Sequence, residues 1–231
     1  MKIGGLQKLT LIDYPGKVSA TVFLIGCNFR CPYCQNPELV DPNKIKNHPQ
    51  IKTSDFFKFL EQRKGFFEGV CITGGEPTIH RDLPVFIKKI KNLKFLVKLD
   101  TNGSNPRMLE KLINENLIDF IAMDIKTSLS KYNKVGWHRG TSLIQKSVEI
   151  IKESGKEYEF RITVAPKIVN EKDMKEIGQW LRGSKKFVLQ QFRPEKILNP
   201  SFEKVKPYPL SVLKKMAKIL ESYIEDVKLR T

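Results

Sequence analysis

Short runs of β-branched and apolar residues alternate along the chain with longer stretches whose apolar positions recur at helical spacing. That alternation is the pattern of βα units wound around a parallel sheet. It predicts strands over 18–25, 69–73, 95–100, 120–124, 158–164 and 186–192, and helices over 54–63, 83–91, 106–114, 142–153, 173–182 and 210–222. Thr53-Ser54 and Asn170 suit helix N-caps, and Pro106 suits a first helical turn, where its missing N–H costs nothing. Leu9 to Asp13 and the turn Tyr14-Pro15-Gly16 read as half of a hairpin feeding the first long strand, and residues 227–230 as a closing strand. The proline-containing segments 36–49 and 199–209 read as long loops. Neither a repeat nor a low-complexity linker divides the chain. One domain is therefore expected over 1–231, with the hairpin at about 1–17 and a final helix and strand at about 210–231. Six βα units are too few for a closed eight-stranded barrel, so the α/β architecture is either an open barrel or a doubly wound sheet. In both, ligands gather at the C-terminal ends of the strands.

The 231 residues are 40% hydrophobic and 10% aromatic, enough to bury the core of one large domain. No segment approaches the roughly 20 apolar residues of a membrane span, and the most apolar run, 18–26, is broken by Ser19 and Thr21. The first eight residues hold neither a continuous apolar region nor a small-residue cleavage site, so the expected location is the cytoplasm. Lys and Arg number 41 against 25 Asp and Glu, a formal charge of +16. Such an excess invites an anionic partner, RNA or an acidic protein surface. Its spread along the whole chain, with no basic tail, is better suited to an ordinary solvated surface.

Three of the four cysteines, Cys27, Cys31 and Cys34, crowd into one short loop directly after the first strand. They are too few and too close for a secreted disulfide scaffold. A structural zinc ion would want a fourth ligand, and Cys71, on another strand, or His48, in a loop, would have to travel to supply it. A redox thiol pair is a further alternative. A four-iron cluster held by three thiolates leaves one iron open to a substrate or cofactor, and Tyr33 is placed to pack over it. Cys71 itself, inside an apolar run, reads as a small core residue.

Further polar groups collect at the same sheet edge. Gly74-Gly75-Glu76-Pro77 follows the second strand; two glycines permit close backbone approach and Glu76 offers an acceptor for an ammonium group, with a tight turn as the plainer alternative. Asp100-Thr101-Asn102 closes the third strand and Asp124-Ile125-Lys126 the fourth, with helix capping as the alternative for Asp and Asn. On the fifth strand Arg161 and Thr163 share one face, opposite Phe160, Ile162 and Val164, so an inward Arg161 suits a carboxylate ligand. No Ser/His/Asp arrangement, phosphate loop or second cysteine cluster competes with this edge.

The spacing of Cys27, Cys31 and Cys34, with Tyr33 before the last, resembles the signature of the radical S-adenosylmethionine (SAM) superfamily. More closely, Ile12-Asp13-Tyr14-Pro15-Gly16, followed by Gly26-Cys27-Asn28-Phe29-Arg30-Cys31-Pro32-Tyr33-Cys34-Gln35-Asn36-Pro37-Glu38, resembles the anaerobic ribonucleoside-triphosphate reductase activating proteins, and the similarity covers nearly the whole chain. The resemblance implies a partial (β/α)6 barrel and a 4Fe-4S cluster on the three cysteines that chelates SAM. It implies one electron from a donor such as flavodoxin or ferredoxin, and a glycyl radical created on anaerobic ribonucleotide reductase or another glycyl-radical enzyme. It places the methionine amino group at Gly74, Gly75, Glu76 and Pro77, and SAM or a nearby monovalent cation at Asp100, Thr101, Asn102, Asp124 and Lys126. Gln191 stands where formate-lyase activases carry a histidine toward the cofactor, and Gln35 where many activases carry one after the last cysteine. Some activases insert a ferredoxin-like domain after the cysteine loop; here only residues 39–53 intervene before the next helix. A radical SAM enzyme acting on RNA or a small molecule is the alternative, argued by the charge. A noncatalytic zinc-binding interaction protein is the alternative of another class.

Overall fold

The computed structural model describes residues 1–231. In chain order it contains β1 (Ile3–Thr10), β2 (Ser19–Leu24), α1 (Pro37–Val40), α2 (Pro42–Ile45), α3 (Thr53–Gln62), β3 (Gly69–Gly74), α4 (Leu83–Asn92), β4 (Leu96–Thr101) and α5 (Pro106–Asn114). These are followed by β5 (Phe120–Asp124), α6 (Ser142–Glu153), β6 (Glu157–Val164), α7 (Glu171–Trp180), β7 (Lys186–Gln191), α8 (Leu210–Glu221) and β8 (Asp226–Arg230). All eight strands form one sheet in strictly sequential order. β1 pairs antiparallel with β2, and each later strand pairs parallel with its predecessor. No reversal of strand order occurs, so the doubly wound alternative falls, and with no β8–β1 pairing the barrel stays open.

Each long helix lays one apolar face on the sheet. In α4 that face is Leu83, Phe86, Ile87 and Ile90; in α8 it is Leu213, Met216, Ala217 and Leu220. This is the spacing of one helical stripe, and burying each such side chain contributes roughly 1.5–3 kcal/mol. The strands supply the complementary surface from Val22, Ile72, Leu99, Ile121, Ile162 and Leu189, all inside the main core. The alternate residues point into the barrel. Thr21, Cys71, Lys98 and Phe120 are register partners across four successive strands. At the N-terminal end of the barrel Tyr14 packs on Phe120, Ala122 and Leu96, an apolar floor beneath the polar interior. No helix is long and apolar enough to cross a membrane.

Three local expectations are corrected. The N-terminal strand lies at Ile3–Thr10, earlier than the expected 9–13, and residues 11–14 bend away from it. Gly4 lies inside this strand, and a Cβ there would run into the Leu39 side chain, so the residue is small because the edge strand is packed from above. The expected loop 36–49 contains α1 and α2, each opened by a proline at its first position, with Asp41 accepting from Asn43 N at 2.9 Å. Helix α3 starts at Thr53 itself, preceded by Lys52 and lacking a side-chain cap. Asn170 does cap α7, in a reciprocal box with Asp173.

Candidate active site

Gly26 leaves β2 in a left-handed conformation (φ 105°) and turns the chain into the cysteine loop over the barrel mouth. The loop is bedded on residues 132–137. Phe29 stacks on Trp137 with ring centroids 5.0 Å apart and meets Tyr132 edge-on at 6.3 Å. Arg30 N donates to Val135 O at 3.0 Å, and Tyr33 OH donates to Lys126 O at 3.2 Å. A network of Asn28, Asn102 and Ser104 joins the loop to the end of β4: Asn28 Nδ2 donates to Ser104 Oγ at 2.8 Å and Asn102 Nδ2 to Asn28 Oδ1 at 3.0 Å. On the other side, Leu198 N and Asn199 N donate to the carbonyls of Cys34 and Pro32. Cys31 is buried and Cys27 and Cys34 are half-buried. Burial pushes the Cys27 thiol up to about 11 and that of Cys31 to about 12, while the Lys126 ammonium acts the other way on both.

The Gly74-Gly75-Glu76-Pro77 turn locks the end of β3 beneath this loop. Gly75 N donates to Leu24 O and Glu76 N to Gly26 O, each at 2.8 Å. A Cβ on Gly75 would lie 1.9 Å from Gly26 O, so the close backbone approach expected of these glycines is made to the cysteine-loop root. Glu76, 1% exposed, accepts from Thr78 N, Thr78 Oγ1 and Thr101 Oγ1 on one oxygen and from Asn102 N on the other. Its carboxylate clamps the ends of β3 and β4 together. Burial raises its pKa, and these four hydrogen bonds oppose the rise.

Below the loop, four charges interlock across β4, β5 and β6. Arg161 Nε donates to Asp124 Oδ1 at 2.9 Å and its Nη2 lies 3.2 Å from Asp100 Oδ2; Lys126 Nζ reaches Asp124 Oδ2 at 3.1 Å. Burial opposes ionisation of both carboxyls and is the largest single influence, but Arg161 together with Lys98 at Asp100, and with Lys126 at Asp124, outweighs it, and both are held below the usual carboxylate range. The cysteine loop, the β3 turn and this network enclose a cavity of about 350 Å³ that extends down to Asp13 and Thr21, which share a 2.6 Å hydrogen bond.

The family model of the radical SAM superfamily matches residues 21–181, from β2 to the end of α7. The chain belongs to the radical SAM superfamily. It is 32% identical over 99% of its length, and 95% of the relative's, to the Methanocaldococcus jannaschii protein named "Putative glycyl-radical enzyme activating enzyme". It is 27% identical to the pyruvate formate-lyase-activating enzyme of Streptococcus mutans, over 78% of this chain and 73% of that one. The crystal structure of Streptococcus suis SuiB bound to precursor peptide SuiA superposes with a TM-score of 0.66 at 15% identity, over 89% of this chain and 49% of SuiB. This chain therefore spans about half of SuiB, and the likeness concerns the fold.

Membership in the radical SAM superfamily implies a 4Fe-4S cluster and SAM, and the residues present fit both. The donors are three thiols from one loop facing a polar cavity, with the Lys126 cation beside them favouring thiolate. A fourth protein ligand for zinc is missing. Cys71 lies down in the barrel beside Lys98, and His48 Nε2 is engaged with Gly4 O at 2.7 Å. Of the cluster and cofactor residues expected from the sequence, only Pro77 and Gln191 stand outside the cavity wall. Pro77 opens a buried 3-10 turn. Gln191 is a correction: its Nε2 donates to Tyr208 O at 2.9 Å on the outer side of β7, and Gln190 lines the cavity. A strand buried on both faces hides its alternation, and an error of one residue exchanges the faces. Sequence reasoning missed Asp13, Thr21, Thr73 and Lys98. Lys98 stands two residues before Asp100 and so shares its strand face, but a lysine in a strand reads as solvent-facing from sequence alone.

Proposed function

We propose that this chain activates a glycyl-radical enzyme and that its target is an anaerobic ribonucleoside-triphosphate reductase. The observation that carries the activase reading is similarity over 99% of the chain to a protein named for that activity. The narrower target rests on the segment Ile12 to Gly16 and the cysteine loop through Glu38. A cluster with bound SAM, reduced by one electron from a flavodoxin or ferredoxin, supplies a radical able to take hydrogen from carbon. The protein's part is to bind, orient and exclude water. Cys27, Cys31 and Cys34 hold the cluster as thiolates, and Tyr33 closes one wall over it. The backbone of Gly74 and Gly75, in a turn set by Pro77 and clamped by Glu76, receives the methionine ammonium. Lys126 and Arg161 attract the methionine carboxylate, oriented by Asp100 and Asp124. Thr101, Asn102 and Gln190 offer hydrogen bonds to the remaining polar groups of the cofactor. The open side between β1 and β8 admits the glycine-bearing loop of the target, in the cytoplasm.

The test is anaerobic. Cluster-reconstituted protein receives SAM, a strong reductant and either an anaerobic ribonucleotide reductase or a pyruvate formate-lyase, and 5′-deoxyadenosine and the glycyl-radical electron paramagnetic resonance signal are measured. The signal is expected on the reductase, and to vanish in Cys27→Ala, Cys31→Ala and Cys34→Ala. A signal on the lyase alone would replace the target. Neither product nor signal with either partner, despite an intact cluster, would overturn the activase reading.

A further inference from the structure

The side chains around Asp100 and Asp124 do not fit the monovalent cation that the resemblance allows there. Lys98, on β4 and 1% exposed, shares the inner face of the strand with Asp100. Its Nζ pairs with Asp100 Oδ1, lies 3.8 Å from Cys71 Sγ and sits 5.9 Å from the centre of the Phe120 ring. The second oxygen of Asp100 faces Arg161, and the two oxygens of Asp124 face Arg161 and Lys126. All four carboxylate oxygens thus meet a cation built into the chain. Lys98, Arg161 and Lys126 against Asp100 and Asp124 leave an excess of one positive charge. An alkali-metal ion bound to these carboxylates would have to displace an ammonium or guanidinium and enter a cluster whose built-in cations already outnumber its carboxylates.

We propose that Lys98 is a tethered counter-ion that replaces an alkali-metal ion at this site, holding Asp100 so that Arg161 and Lys126 stay oriented toward the carboxylate of the bound ligand. This rests on the reading that SAM binds in the cavity. Lys98 does not itself line that cavity, so it is a positioning residue acting through Asp100. The strand delivers it without loss of a ladder hydrogen bond, and beyond Asp100 its ammonium meets the Phe120 ring face and the Cys71 sulfur.

Equilibrium dialysis of the cluster-loaded protein against sodium-22 and rubidium-86 ions, with calorimetric SAM binding in sodium, potassium and choline chloride at one ionic strength, tests this. Wild type is expected to take up neither ion saturably and to bind SAM equally in the three salts. Lys98→Met is expected to bind SAM roughly tenfold or more weakly in choline and to recover in sodium or potassium. Lys98→Arg, which keeps the charge, is expected to remain indifferent to the salt. Saturable ion uptake by wild type, or wild-type SAM affinity that depends on which salt is present, would overturn the proposal. So would a Lys98→Met variant that matches wild type throughout, or one weakened equally in all three salts. If Lys98→Met does not fold, wild-type dialysis still decides. If SAM fails to bind wild type in any salt, the functional reading falls, while the dialysis still reports on the carboxylates.

Discussion

At Asp124 burial penalises the charge, and the attraction of Arg161 and then Lys126 exceeds that penalty. The folded carboxyl therefore titrates below its unfolded value of about 3.9. A carboxyl depressed in this way stabilises the fold at every pH above the unfolded value, and that contribution is lost as pH falls from about 4 toward the folded value. Urea unfolding of the cluster-free protein should show wild-type stability dropping steeply as pH falls below about 4. Asp124→Asn should be less stable at neutral pH, by on the order of 3 kcal/mol, because Arg161 and Lys126 lose a partner, and its acid loss should be shallower. Equal slopes in the two proteins would contradict the assignment. Residues of this kind were legible because Asp124 and Lys126 stand together at a strand end. Lys98 was not, since a lysine in a strand reads as solvent-facing until the neighbouring strands are known to close over it.

Elements meet at this site through backbone. Gly75 belongs to the β3 turn and Gly26 to the root of the cysteine loop, and a Cβ on the first would stand 1.9 Å from the carbonyl oxygen of the second. A main-chain carbonyl already bonded to Glu76 N cannot give way as a flexible side chain can. Gly75→Ala should cost about 1–3 kcal/mol, the range for forced overpacking, and should lower iron and sulfide incorporation because the cysteine loop must shift. Gly5→Ala is the comparison: its Cβ would meet the Phe23 side chain no closer than 3.5 Å, an ordinary contact, and cluster loading should be unchanged. The same distinction accounts for the early strand. The reason for Gly4 in β1, a neighbour packed above it, lies 35 positions on at Leu39.

Across the whole molecule, an open barrel with a charged interior needs a floor, and Tyr14 provides it. Its ring lies 5.9 Å from that of Phe120 and closes the N-terminal end together with Ala122 and Leu96. Tyr14→Ala should destabilise the protein by about 3–5 kcal/mol, as large aromatic truncations do, and hydrogen exchange in β4 and β5 should quicken as water reaches the barrel from below. Unchanged exchange would show that the floor is closed by other groups. The chain by itself determined the period of its βα units, the thiol loop and the charged residues at strand ends, since each depends on residues adjacent or one helical turn apart. Only the tertiary structure decided that Gln190 rather than Gln191 meets the cavity, that Glu76 commits both oxygens to neighbouring loops, and that Lys98 faces Asp100 and Cys71. Those outcomes depend on strand register and on contacts as distant in sequence as the 76 positions from Asn28 to Ser104, and a one-residue shift in register exchanges the residues that line the barrel with those that pack against its helices.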